Sequence, residues 1–160
     1  MVGANPSHGK SNCSSVSLSV FLKEKGLNFS SKDIGGQNLY GVIESCFKNI
    51  PERDLRESRG ITKYFTSYES ASSKLKEWYG QNANGVISIP FKLPTGKITA
   101  HTFNWSIKDG VVEFFDGQPD PPLRNITSYF KHVDIEQLLT VAHLDNLEIN
   151  EQGILQYLDK

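Results

Sequence analysis

Ala100-His101-Thr102-Phe103-Asn104-Trp105-Ser106-Ile107-Lys108-Asp109-Gly110-Val111-Val112-Glu113-Phe114-Phe115-Asp116-Gly117-Gln118 is the stretch whose reading decides the fold. Asp-Gly between two runs of alternating apolar and polar residues is the signature of a two-residue type I′ hairpin. Setting Asp109-Gly110 at the turn fixes the register. Lys108 faces Val111, Ile107 faces Val112 and Trp105 faces Phe114; the same register carried further sets Phe103 against Asp116 and His101 against Gln118. Alternate side chains share a face, so His101, Phe103, Trp105, Phe114, Asp116 and Gln118 belong to one side of the sheet. His101 and Asp116 become diagonal neighbours about 7 Å apart at the backbone.

Outward from the hairpin, Val86 to Phe91 reads as a strand and Leu93-Pro-Thr-Gly96 as the turn leading into the histidine strand, Lys97 to Ile107. Towards the N-terminus the period changes to that of helices. One is expected from Cys13 to Lys25, with Asn12 or a nearby serine as cap and Gly26 as its stop; a second from Gln37 to about Lys48; a third from Ser67 to Tyr79, turning Leu75, Trp78 and Tyr79 inward and ending at Gly80. Residues 1–11 read as an extended lead-in and 51–62 as charged and irregular. Beyond the Pro-rich segment after Gly117, a short helix is expected near Ile135 to His143, then strand-like pieces at Asn146 to Ile149 and Gly153 to Tyr157. Helices first and antiparallel strands later make an α+β chain, read as a single domain over residues 1–160.

The 160 residues suffice to bury a core without metals or staples. Hydrophobic residues make up 38% and charged ones 22%, with a formal net charge of −1. That balance carries no basic footprint for nucleic acid, and no apolar run reaches the roughly 18 residues needed to cross a bilayer. The first ten residues show no apolar signal-peptide core. Two cysteines are not a disulfide framework, although pairing between them stays open. Cys46 lies in an apolar helical stretch and reads as a small buried hydrophobe. His8, His132 and His143 stand singly, as surface or core residues. Arg53, Arg56 and Arg59 fall at helical spacing with acids between them, a solvated face.

Cys13 has polar neighbours and opens a helix. A thiolate is the nucleophile of cysteine chemistry, and the positive end of a helix and a nearby imidazolium both favour it over the thiol. First-turn N–H groups point outward, so the backbone of Cys13, and the side-chain amide of Asn12 if it does not cap the helix, are candidate donors to an oxyanion. His101 supplies a base. Asp116, in register, is placed to hold its tautomer. Gln118 is a candidate to support the histidine–aspartate pair from behind or to contact the substrate. No C-x-x-C or H-x-x-x-H spacing suggests a metal, and no cofactor is implied.

Those residues resemble a known family. Asn5-Pro6 followed by Asn12-Cys13 at a helix start is similar to the opening of the papain-fold toxin domains, known in many polymorphic bacterial toxins as glutamine deamidases. Ala100 to Trp105, then Asp109 to Gln118, looks like that family's histidine strand and its Asp-Gly-Gln ending. Asp145-Asn146-Leu147 resembles a segment near such a domain's C-terminus. The order Cys, His, Asp and the fifteen-residue step from His101 to Asp116 match injected deamidating effectors as well. The resemblance runs from about residue 5 to 148, although residues 27–85 carry none of its motifs. Many members have a second cysteine three residues after the first, where this chain has Val16.

The resemblance implies a papain-like fold, with N-terminal helices packed on a C-terminal antiparallel sheet. Cys13 would be nucleophile, His101 base and acid, and Asp116 orienter. The domain would be secreted or injected from a bacterium and act in the target-cell cytoplasm, deamidating a glutamine of a target protein, with an immunity protein covering the site where siblings are the target. Neither nucleic acid nor membrane is an expected partner. The same thioester chemistry serves a cysteine protease or an acyl transferase. A non-catalytic binding module would keep the hairpin without needing Cys13.

Overall fold

The computed structural model describes residues 12–32 and 38–160. The expected lead-in over residues 1–11, with Asn5, Pro6 and His8, and the start of the second helix at Gln37 lie outside the described residues. The helices are α1 (Cys13–Glu24), α2 (Leu39–Cys46), α3 (Tyr68–Tyr79) and the short α4 (Glu151–Ile154). The strands are β1 (Ser30–Ser31), β2 (Phe47–Lys48), β3 (Leu55–Ser58), β4 (Ala83–Lys92), β5 (Ile98–Lys108), β6 (Val111–Asp116), β7 (Leu123–Arg124), β8 (Leu139–His143), β9 (Glu148–Ile149) and β10 (Leu158–Asp159). Six of them form one antiparallel sheet in the order β3-β8-β4-β5-β6-β7, and β1-β10 and β2-β9 are small two-stranded pairs. The mixed α and antiparallel β architecture is the one the sequence implied.

Successive sheet residues enter different cores, as the pleat requires. Val86 and Ala142 join Leu18, Leu22, Val42 and Ile43 under α1 and α2. Their neighbours Ile87 and Val141 join Phe103, Trp105, Phe114, Leu75 and Phe130 on the side of α3. Close approach at the sheet centre needs Gly85, since a Cβ there would lie 2.0 Å from the Ala142 carbonyl oxygen and 2.4 Å from the Trp105 ring. The indole N–H of Trp105 donates to the Val86 carbonyl at 3.1 Å, which satisfies it within the apolar layer.

The hairpin follows its expected register from Lys108–Val111 to Asn104–Phe115. Asp109 and Gly110 have φ of 50° and 82°, the left-handed pair that a type I′ turn demands. The ladder then stops. The expected pairs Phe103–Asp116 and His101–Gln118 are not part of it: Asp116 keeps its pairing with Leu123 of β7 on the other edge of β6, but the chain turns away from β5 at Gly117. A Cβ at Gly117 would lie 3.0 Å from Val20 and 3.4 Å from Val16, so the missing side chain lets this exit press against α1.

Other expectations are corrected. The segment around Ile135 to His143 is not a helix: Leu139–His143 is the strand β8, between β3 and β4. Leu139 to Ala142 are all buried, so both faces are covered and no alternation marks the strand. Residues 51–62 contain a strand, β3, and Arg56 lies on it rather than on a helical face; its guanidinium stacks 4.4 Å from the Trp78 ring centre. Gly153 belongs to α4, where a Cβ would collide with the Ser45 carbonyl, and the last strand begins only at Leu158. The second helix ends at Cys46, since Phe47 and Lys48 pair with β9. Both cysteines are free.

Candidate active site

α1 holds Cys13 as its first residue. Its serines favour the helix poorly, yet every residue from Ser14 to Leu22 is buried, and packing decides. Small hydroxyl side chains let the helix lie close to β5 and bond to it and its surroundings. Ser14 Oγ is 3.2 Å from Thr102 Oγ1, Ser19 Oγ donates to the Phe29 carbonyl at 2.6 Å, and Asn104 Nδ2 donates to the Ser17 carbonyl at 2.9 Å. The N-terminus of α1 is thereby fixed beside the part of β5 that β6 has left.

Asn12 precedes Cys13 and is fully buried. It makes no side-chain cap. Its Nδ2 donates to Ser31 Oγ at 3.1 Å and to the Lys32 carbonyl at 3.0 Å, which occupies both of its protons. Asn12 therefore anchors the helix start to the β1 region, and its amide does not serve as the oxyanion donor considered from sequence. The backbone N–H of Cys13 lies ahead of the first intrahelical bond, which runs from Val16 N–H to the Asn12 carbonyl. That N–H is a candidate oxyanion donor from this segment.

His101 comes from β5 and Asp116 from the last position of β6. His101 Nε2 and Asp116 Oδ2 are 2.6 Å apart, and the carboxylate side chain is 1% exposed against 23% for the imidazole. The Cys13 side chain lies close enough to His101 for each to stabilise the other's charged form. With Nε2 engaged by Asp116, Nδ1 is the nitrogen left for the sulfur. Thr102 adds to this, its backbone and its side chain both favouring the thiolate. Thr102 and Asn104 face α1, whereas His101 and Phe103 face the other core, so sulfur and imidazole meet at the gap where β6 parts from β5.

Opposing influences set the charges. Burial pushes the Cys13 thiol up, but His101 and Thr102 outweigh it and leave the thiol below its ordinary value. Burial pulls His101 down, and Asp116 and Cys13 more than reverse that, to about 9. Burial likewise raises Asp116, yet His101, the Gln118 N–H and the Tyr129 hydroxyl keep its carboxyl below the usual range. A thiolate facing an imidazolium, with a carboxylate behind, is the state this geometry favours. Cys46 is the contrast: burial alone pushes its thiol up to about 12.

Two contacts escaped the sequence reading. Tyr129, on the short 3₁₀ segment Ser128–His132, donates its hydroxyl to Asp116 Oδ2 at 2.8 Å. Thr102 had no assigned part. Gln118 does not face His101; its backbone N–H donates to Asp116 Oδ1 at 3.0 Å and its Nε2 reaches Asn12 Oδ1 at 3.4 Å, so it braces both the orienter and the residue before the nucleophile.

A second histidine cluster lies apart from this site. His143 Nδ1 is 2.9 Å from Asp54 and Nε2 is 3.1 Å from Asp145, which also takes Lys25 at 2.9 Å. The residue read singly from sequence thus joins two carboxylates in an ion-pair network. Among the described residues no helix is long and apolar enough to cross a membrane. Comparison with protein-family models, with curated proteins and with solved structures finds no match to this chain.

Proposed function

We propose that this chain is a protein-glutamine deamidase on a papain-like scaffold, of the kind found in bacterial toxins and injected effectors. The observation that carries the reading is Cys13 at the start of α1, beside an imidazole whose Nε2 is held by Asp116 at 2.6 Å. The resemblance of the motifs around these three residues supplies the choice of substrate.

The Cys13 thiolate attacks the side-chain amide carbon of a glutamine, and the carbonyl oxygen takes the negative charge. The backbone N–H of Cys13 donates to that oxyanion. His101, protonated, gives its proton to the amide nitrogen as the C–N bond breaks, and ammonia leaves behind a thioester. Neutral His101 then takes a proton from water, whose oxygen attacks the thioester; the C–S bond breaks and glutamate is released. Asp116 keeps the imidazole in one tautomer and stabilises its charged form throughout. The new negative charge on the target is what disables it.

In this proposal the domain is secreted or injected from a bacterium and acts in the cytoplasm of the target cell. Its partner is the protein bearing the glutamine, with an immunity protein over the Cys13 cleft where the target is a sibling bacterium. Mass spectrometry of target-cell lysate treated with the protein tests the chemistry. A gain of about 1 Da on one glutamine is the expected result, since an amide becomes an acid. New peptide termini in place of that gain would make the chain a cysteine protease.

A further inference from the structure

Tyr129 makes a contact that the deamidation chemistry does not require by itself. Its hydroxyl donates to Asp116 Oδ2, the same oxygen that His101 Nε2 touches, at 2.8 Å and 2.6 Å respectively. Its ring stands edge-on to the imidazole with centres 5.6 Å apart, and edge-on to Phe103 at 5.3 Å. Phe103 and Phe114 in turn pack on Phe130, the next residue along from Tyr129. Phe130 is 1% exposed, so the turn bearing Tyr129 is pinned to the core one residue away from the hydroxyl.

We propose that Tyr129 is a positioning residue for the Cys13–His101–Asp116 site: its hydroxyl fixes the carboxylate oxygen that holds the imidazole, and its ring covers the imidazole's side. The proposal rests on the triad reading above. A carboxylate with one acceptor oxygen shared by two donors cannot swing away from either without losing both bonds. Asp116 Oδ1 is held separately by the Gln118 N–H at 3.0 Å, so both oxygens are fixed and the His101 ring has one orientation in which Nδ1 meets the sulfur. The titratable groups bearing on His101 are Cys13 from α1, Asp116 from β6 and Tyr129 from the 3₁₀ turn; those bearing on Asp116 are His101 and Tyr129.

Removing the hydroxyl has a direction. Asp116 loses a donor in an apolar setting and takes up a proton at higher pH, and a freer carboxylate holds the imidazolium less well. Both effects raise the pH at which Cys13 becomes a thiolate. The readout is the rate of Cys13 alkylation by iodoacetamide against pH, followed by mass and peptide mapping, which needs no knowledge of the substrate. In Tyr129→Phe the acid limb is expected to move up by roughly half to one pH unit. In an Asp116→Asn background the same change is expected to move it no further, because Tyr129 acts through Asp116.

No displacement in Tyr129→Phe, or the same displacement in both backgrounds, overturns the proposal. His101→Ala serves as the check on its premise. If that variant leaves the wild-type profile unchanged, the triad reading itself falls, whereas a normal response to His101→Ala with an inert Tyr129→Phe removes only the role of Tyr129. Should Tyr129→Phe fail to fold, the wild-type protein decides by NMR: a slowly exchanging Tyr129 hydroxyl proton close to the His101 ring is expected, and a freely exchanging one contradicts the proposal.

Discussion

His101 Nε2 and Asp116 Oδ2 lie 2.6 Å apart although the ladder between their strands has already ended, three residues before His101 and one before Asp116. The bond is thus not a by-product of cross-strand pairing. Asp116 is carried by β6 and then held by the Gln118 N–H and by Tyr129, both from the chain beyond the strand. Asp116→Asn keeps the size but replaces an acceptor by an amide that supports the wrong tautomer. A loss of about 10² to 10⁴ in kcat is expected, with little change in KM. Activity within a few-fold of wild type would mean that His101 does not depend on Asp116.

The charges of the pair predict a bell-shaped pH profile for kcat/KM. The acid limb belongs to Cys13 and lies below the ordinary thiol value, because the attacking form is the thiolate. The alkaline limb belongs to His101, which must carry a proton to release ammonia, and falls near pH 9. These are values of the coupled pair rather than of either residue alone. An alkaline limb near the ordinary histidine value, about 6.5, would contradict the ion pair.

His143 predicts a stability effect distinct from the chemistry. Both of its nitrogens meet carboxylates, and the hydrogen bond it donates to Asp145 leads in raising its proton affinity against the opposing effect of burial. A histidine whose folded value is raised contributes stability that is complete below its unfolded value, about 6.5, and lost as pH rises through the folded one. Melting temperature should therefore fall across that window in the wild type and fall less in His143→Ala. At pH 6 the variant should be less stable by about 3–5 kcal/mol, the cost of leaving buried Asp54 without its cation while Lys25 still serves Asp145. Equal slopes in the two proteins would show that the network carries no net proton linkage.

Gly85 tests the packing that places β5. A methyl group there meets the Ala142 carbonyl and the Trp105 ring, neither of which can move without disturbing the sheet. Gly85→Ala should cost about 3 kcal/mol or more in chemical denaturation, the upper range for overpacking. A loss below about 1 kcal/mol would mean that the sheet centre yields more easily than its contacts imply.

How much was legible depended on which forces were local. The Asp109-Gly110 turn and the alternation on either side of it are local, and they placed His101 and Asp116 on one sheet face before any tertiary contact was known. Cys13 at a helix start was legible from the four-residue spacing of Val16 and Val20 and from Gly26, whose φ of 83° follows the helix end, although Asn12 does not cap it with its side chain. The parting of the strands at Gly117 was not, since it depends on α1 filling the gap. β8 hid because both of its faces are buried, and β3 because Leu55 is its only buried residue and its charged positions, Arg56 and Glu57, find partners only in the fold, Arg56 on the Trp78 ring and Glu57 with the Thr140 hydroxyl at 2.7 Å. Tyr129 follows a proline-rich segment and meets Asp116 only through the folded turn, so no spacing announces it. The turned-away amide of Asn12 is likewise a tertiary fact, fixed by Ser31 and Lys32.

The most direct measurement of the central claim follows the oxygen. Target-cell lysate is treated in ¹⁸O water with wild-type protein or with Cys13→Ser, and glutamine-containing peptides are weighed. Hydrolysis of a thioester on Cys13 replaces the amide nitrogen by solvent oxygen, so a glutamine should gain about 3 Da with the wild type. No such gain should occur with Cys13→Ser. The same gain with both proteins, or with neither, would contradict Cys13 as the nucleophile of a deamidation.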